Sequence, residues 1–277
     1  PHDVPGLYDA FGTESFDDLY IRYESDGSVP RKTIGAQDLF LDILKERAET
    51  GRLYIMNIDH CNSHSSFTDK VEMSNLCQEI TLPTKPLNHI DDENGEIALC
   101  ILSAINVGKI RDFEDLQVLC DLAVRSLDEL IDFQNYPIRA AEIATRARRS
   151  LGIGYIGLAH FLAKQGVNYN DPTAWKLVHQ LTEAFQYYLI SATVDLAKEK
   201  GACEYSSRTK YANGILPIDT YKHDVDQIVP NELHYDWEDL RTKVLTYGVR
   251  NSTLSAQMPS ESSSVVSNAT NGIEPPR

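Results

Sequence analysis

No apolar run in the 277-residue sequence approaches the roughly 20 residues that a membrane-crossing helix needs. The longest candidate, 151–163, is broken by three glycines and His160, so a soluble protein is expected. Basic residues are scarce as well: 26 Lys and Arg stand against 41 Asp and Glu, a formal charge of −15. A field of that sign repels phosphate polymers and anionic lipid, which excludes a nucleic-acid polymer or a membrane as an expected partner and leaves any nucleotide to find a local site. Cysteine is sparse and unpaired in pattern. Cys61, Cys77, Cys100, Cys120 and Cys203 are an odd number, widely spaced and without a C-x₂-C pair, which argues against a disulfide scaffold and for a reducing cytoplasm. There is no internal repeat and no low-complexity tract or Gly/Ser linker, so a single domain, or a piece of one, is expected. The sequence opens at Pro1 with neither methionine nor a charged-then-apolar signal, and stops just after Pro275-Pro276; it reads as a fragment.

The apolar residues that are present, 42% of the chain, suffice for a sizeable core. Leu39, Phe40, Ile43, Leu44 and Ala48 fall at helical spacing before Gly51. Runs 53–58, 76–82 and 97–105 look like strands, and a Ser-, His- and Asn-rich loop is expected after the first. Leu116, Leu119, Ala123, Leu127, Leu130 and Ile131 mark one amphipathic helix. Asp171 and Pro172 start another, with a face running through Leu177, Leu181, Ala184, Phe185, Tyr188, Ala192 and Leu196 to Gly201. A strand at 251–257 leads into a Ser-rich turn. This alternation predicts an α/β fold.

Several motifs compete for chemistry. Gly152-Ile153-Gly154-Tyr155-Ile156-Gly157 is a literal G-x-G-x-x-G, with Asp171 where a ribose-binding acid would stand. A dinucleotide site requires a buried strand ahead of it, yet 144–150 contains Arg146, Arg148 and Arg149, which suit an ion-paired helix face. The glycines are therefore read as close packing of a helix and Asp171 as a cap; an NAD(P)-dependent oxidoreductase stays as an alternative. Asp59-His60-Cys61-Asn62-Ser63-His64 offers three zinc-ligand types where four are wanted, and is read as a loop whose side chains hold backbone groups, with no metal bound.

In 74–80, strand alternation would put Asn75, Cys77 and Glu79 on one face and Leu76, Gln78 and Ile80 on the other. That face would carry an orienting amide, a thiol able to act as nucleophile or radical carrier, and a carboxyl base. Met258-Pro259-Ser260-Glu261-Ser262-Ser263-Ser264 follows a strand and opens a helix, an arrangement in which backbone N–H groups and hydroxyls bind phosphate without lysine.

Asn75-Leu76-Cys77-Gln78-Glu79-Ile80, Leu82-Pro83-Thr84-Lys85-Pro86-Leu87, Asp92-Glu93-Asn94-Gly95-Glu96-Ile97-Ala98-Leu99-Cys100 and the string from Met258 through Asn268-Ala269-Thr270-Asn271-Gly272 to Arg277 resemble the large catalytic subunit of class I ribonucleotide reductases. Pro1-His2-Asp3-Val4-Pro5-Gly6-Leu7 and Asp59-His60-Cys61-Asn62 add to it, in the manner of the enterobacterial and T-even phage members. The resemblance implies a ten-stranded α/β barrel, of which 1–277 is the middle and later portion. It implies that Cys77 becomes the thiyl radical that takes the 3′ hydrogen of a ribonucleoside diphosphate, Glu79 the base on the 3′ hydroxyl, Asn75 the holder of the ribose hydroxyls and Cys100 one member of the redox pair. It places Leu76 and Gln78 among the substrate-binding residues, and Pro259, Ser260, Glu261, Ser262 and Ser263 in the diphosphate loop, Ser262 replacing an expected threonine. It implies no cofactor bound by this chain, a radical supplied by a metal-containing small subunit, ATP and dNTP effectors on the whole subunit, a homodimer of large subunits, and thioredoxin or glutaredoxin as reductant. The partner of Cys100, the allosteric domain, the relay tyrosines and the tail cysteines are expected outside this sequence, leaving the fragment inactive alone. A non-catalytic interaction segment of a split enzyme is the other alternative, and a cobalamin-dependent reductase a more distant one.

Overall fold

The computed structural model describes residues 3–229 and 232–276; Pro1, His2 and Arg277, which carry the two ends of the resemblance, lie outside the described residues. The described residues among the first hundred hold four helices: α1 (Leu7–Ala10), α2 (Ser15–Ser25), α3 (Ala36–Thr50) and α4 (Ile58–His64). α3 has its predicted end, where Gly51 at φ 65° donates its N–H to Arg47 O, a left-handed cap that glycine adopts without a Cβ penalty. No side chain of α2 or α3 is buried.

Two strand expectations in this region fail. Residues 53–57 run extended without a strand partner and then enter α4, so the loop expected over 59–64 is a helix. The six-residue apolar run could not distinguish the two, and Asn62 settles it locally: its Nδ2 donates to Ile58 O and Val71 O, and its Oδ1 accepts from Val71 N. Holding backbone groups is what the sequence led us to expect of it. Residues 76–82 form a turn, and only the end of 97–105 becomes strand.

The remainder is packed. It contains β1 (Ile101–Asn106), α5 (Asp115–Phe133), α6 (Arg139–Arg148), β2 (Leu151–Ile156), α7 (Leu158–Lys164), α8 (Pro172–Lys200), α9 (Pro217–Thr220), α10 (Trp237–Tyr247) and α11 (Glu261–Val266). β1 and β2 are parallel, with Ile101 opposite Leu151 and Asn106 opposite Ile156. The segment after Ser252 lies along β2 as an irregular third strand: Leu151 N donates to Thr253 O at 3.0 Å, Ile153 N to Leu254 O at 2.8 Å and Ala256 N to Ile153 O at 3.2 Å. These elements make an α/β layer, but the described residues do not close a ten-stranded barrel.

The glycine string lies in β2 rather than in a helix. A Cβ at Gly154 would stand 2.3 Å from Ala256 O, so the close approach of the third strand requires glycine there. α6 occupies most of the stretch where a dinucleotide fold needs a buried strand, which removes the dehydrogenase reading. Asp171 caps α8 by accepting from Thr173 N at 2.8 Å.

α5 packs on α8 and on both strands, but its buried face is rotated from the predicted one. Leu116, Cys120, Val124, Leu127, Asp128 and Ile131 are buried, whereas Leu119 and Leu130 are largely exposed. The rotation turns Asp128 inward, where Arg149 Nε (2.6 Å) and Asn251 Nδ2 (3.0 Å) donate to its carboxylate. A buried charge is tolerated when paired and hydrogen-bonded in this way.

Candidate functional site

Residues 75–80 form a closed turn, not a strand. Asn75 N donates to Ile80 O at 3.1 Å, Ile80 N to Asn75 Oδ1 at 3.1 Å and Gln78 N to Asn75 O at 3.3 Å, and Gln78 takes φ 64°. The alternation expected to line up Asn75, Cys77 and Glu79 is therefore absent. The Asn75 carbonyl oxygen serves its own turn, a habit of short polar side chains that competes with strand pairing. Leu76 and Cys77 are exposed near the tip, and Gln78 and Glu79 are half-buried.

A hairpin-like excursion joins this turn to β1. Lys85 N donates to Glu96 O at 3.0 Å and Glu96 N to Lys85 O at 3.1 Å. Its bend is organised by Asp92, whose carboxylate accepts from Asn88 N at 3.0 Å and Asn94 N at 2.9 Å. Those bonds hold the Asp92 carboxyl down at about 2. Gly95 sits where a Cβ would meet Leu87 Cδ2 at 2.4 Å, so the motif's glycine permits the bend to close.

The excursion is locked to the packed region by charges that the sequence reading assigned only in kind. Arg148, 3% exposed, donates through Nε and Nη2 to Glu96 Oε2 at 2.9 and 2.7 Å and through Nη1 to Asp69 at 2.9 Å. Arg208 Nε also donates to Asp69, at 3.1 Å. The Arg148 guanidinium lies 5.1 Å from the Tyr205 ring centre, a cation–π distance. The arginine run is ion-paired as expected. The burial of Arg148 and Arg149 was not expected; Glu96 lies in a neighbouring motif, and Asp69 in none of the motifs.

Cys100 lies at the end of the excursion, within electrostatic reach of the Glu79 carboxylate. Burial first, and the Glu79 charge second, push its thiol up to about 12, so it is protonated at neutral pH. Glu79 Oε2 is buried and has no hydrogen-bond partner among the described residues. A Cβ at Gly152 would lie 2.7 Å from Cys100 Sγ and 3.2 Å from Ala256 Cβ, so the sulfur sits over β2 beside the segment that leads to Pro259. The structure thus brings Glu79, Cys100 and that segment together. The 470 Å³ cavity bordered by Asn75 is lined by Ile80, Leu82, Lys85, Glu96 and Ile97 among others, and its lining includes neither Cys77 nor the 259–263 turn.

In the 259–263 turn, Ser260 is buried, while Pro259, Glu261, Ser262 and Ser263 are exposed. Ser260 N donates to Asn271 Oδ1 at 2.7 Å and Ser263 Oγ to Ser260 O at 3.3 Å. α11 has six residues, so the turn offers the N–H groups of a helix start with little macrodipole behind them.

Of the other thiols, Cys61 is half-buried and Cys120 and Cys203 are buried. Burial pushes Cys120 up to about 12 and Cys203 to about 11. Among the described residues, no group of three or more His, Cys, Asp or Glu side chains gathers to hold a metal. No helix among the described residues is long and apolar enough to cross a membrane.

Comparison with known proteins adds the following. The family model described as "Ribonucleotide reductase, barrel domain" matches residues 1–277. The chain is 58% identical to the ribonucleoside-diphosphate reductase subunit alpha of Haemophilus influenzae and 57% identical to the ribonucleoside-diphosphate reductase 1 subunit alpha of Escherichia coli, each over 282 residues. It is 42% identical over 285 residues to the subunit alpha of enterobacteria phage T4. In each case all of this chain aligns, and it spans 37% of the relative's length.

Proposed function

The chain belongs to the ribonucleotide reductase barrel-domain family, and on that premise we propose that it is the barrel segment of an alpha subunit that reduces ribonucleoside diphosphates to 2′-deoxyribonucleoside diphosphates. The observation that carries the reading is the buried, unpartnered oxygen of the Glu79 carboxylate, within electrostatic reach of a Cys100 thiol that sits over β2 beside the segment leading to Pro259. Cys77 Sγ, as a thiyl radical, takes the 3′ hydrogen atom of the ribose. Glu79 accepts the 3′ hydroxyl proton, which eases departure of the 2′ hydroxyl as water. Cys100 and a second thiol from outside this chain supply two electrons and two protons and become a disulfide. Cys77 then returns its hydrogen to C3′, so the radical is regenerated and the sugar is reduced by two electrons. Asn75 and the backbone at Leu76 and Gln78 orient the ribose, and Pro259, Ser260, Glu261, Ser262 and Ser263 hold the diphosphate.

The radical comes from a metal-containing small subunit, and the disulfide is re-reduced by thioredoxin or glutaredoxin in the cytoplasm. The alpha subunits pair as a homodimer that binds ATP and dNTP effectors outside this segment, and this chain holds no cofactor of its own. In the alpha subunit carrying this sequence, Cys77→Ser or Glu79→Ala abolishes deoxyribonucleotide formation while Cys203→Ser does not. Normal turnover by Cys77→Ser overturns the assignment. One observation favours the second reading, a non-catalytic segment: Cys77 is exposed and Asn75 is committed to its own turn. Survival of activity in both Cys77→Ser and Glu79→Ala would select it.

A further inference from the structure

We infer that Asn106, at the carboxyl end of β1, is a positioning residue that sets the serine turn 259–263 for its substrate. The inference rests on reading that turn as the diphosphate holder, and extends it by naming what fixes the turn in place.

The turn is closed first on its own return segment. Ser260 N donates to Asn271 Oδ1 at 2.7 Å, Ser264 N to Ser260 O at 2.8 Å and Ala269 N to Ser264 O at 2.9 Å. This closed loop is then tied to the ends of the two strands. Gly157 N donates to Thr270 O at 2.8 Å, and Asn106 Nδ2 donates to Ser267 O at 3.3 Å across 161 residues of sequence. The backbone bond anchors the return segment, and the amide anchors the end of α11. With only one of them, the loop can swing about the other.

Asn106 stands in space that glycines leave open. A Cβ at Gly157 would come within 2.7 Å of Asn106 Oδ1, and one at Gly108 within 3.2 Å. The Oδ1 they surround is buried and has no hydrogen-bond partner among the described residues, as is also true of Thr270 Oγ1. An unpaired buried carbonyl oxygen is unfavourable. The fold keeps it there while the N–H face of the same amide is turned to the loop backbone, so the feature secured by this arrangement is the loop's orientation. The last glycine of the G-x-G-x-x-G string thereby gains a function unrelated to dinucleotides, as half of the slot for the amide that aims the serines.

Groups that hold the substrate's non-reacting tail act on ground state and transition state alike, so loosening them raises KM and leaves kcat. The test uses Asn106→Asp, which keeps the volume and loses the donor, and the milder Asn106→Ser, in the alpha subunit carrying this sequence together with its small subunit. KM for a ribonucleoside diphosphate is expected to rise about tenfold in Asn106→Asp, the usual scale for one lost hydrogen bond to a loop, and by less in Asn106→Ser, with kcat within about twofold. Amide hydrogen exchange over 260–271 is expected to quicken in both. An unchanged KM, a fall in kcat at constant KM, or unchanged exchange over 260–271 overturns the assignment. Ser260→Ala with Ser263→Ala separates the two layers: if this pair leaves KM unchanged, the diphosphate reading itself fails. If it raises KM while the Asn106 variants do not, only the positioning role falls.

Discussion

Helix α3 and strand β2 are both apolar-patterned, yet they meet opposite fates. Every side chain of β2 is buried, while Phe40 and Leu41 of α3 stand 58% and 55% exposed. β2 is flanked by β1 and by the segment after Ser252, with α5 against it; none of α3's apolar positions reaches a buried cluster among the described residues. Amphipathic spacing is enough to shape a helix, but its burial needs a second surface. The candidate site lies on the seam between these two kinds of region. Cys77 and Glu79 belong to the loosely packed side, and Cys100 and the serine turn lean on β2.

The sharpest way to break this contrast is to open the packed side. Asp128→Ala removes the fully buried carboxylate shared by Arg149, Arg250 and Asn251, leaving Arg149 only its pair with Asp132, and is expected to cost about 3–5 kcal/mol, read as a lowered denaturation midpoint. Next in size is a matched pair of truncations. Leu189→Ala in the fully buried face of α8 is expected to cost about 2–5 kcal/mol, and Leu44→Ala in α3 no more than about 0.5 kcal/mol; equal costs would erase the distinction. The smallest effect belongs to the seam. The Asp92 carboxyl is held near 2 in the folded chain, below its ordinary 3.8. The stability it lends is therefore present above about 4 and is lost as pH falls towards 2. Hydrogen exchange over 88–96 is expected to quicken through that window, and Asp92→Asn to flatten the response.

Helix ends were legible on both sides. The caps at Asp171 and Gly51 announce helix ends through chemistry that acts within a few residues, and tertiary context did not override them. The rotated face of α5 was not legible, because Asp128 becomes a core residue only when Arg149 and Asn251, distant in sequence, arrive to neutralise it. The 75–80 turn was missed for a related reason: six alternating residues describe a strand only if a neighbour supplies hydrogen bonds, and here Ile80 returns to Asn75 instead. The glycines of β2 did carry a usable signal, since isolated glycines in a strand-like run mark close backbone approach. Close packing was the expectation, but it was set on a helix and the glycines lie in a strand.

The knot of Asp69, Glu96, Arg148 and Arg208 also bears on how the molecule is made. Asp69 and Arg208 are 139 residues apart, and at about 5–20 residues per second a ribosome needs roughly 7–30 s to span them. Arg148 follows Asp69 by only 79 residues, so in the first part of that interval the stretch bearing Cys77 has neither arginine, and in the rest it has only Arg148. The loop around Cys77 thus takes its moorings in two instalments during synthesis, Arg148 first and Arg208 later.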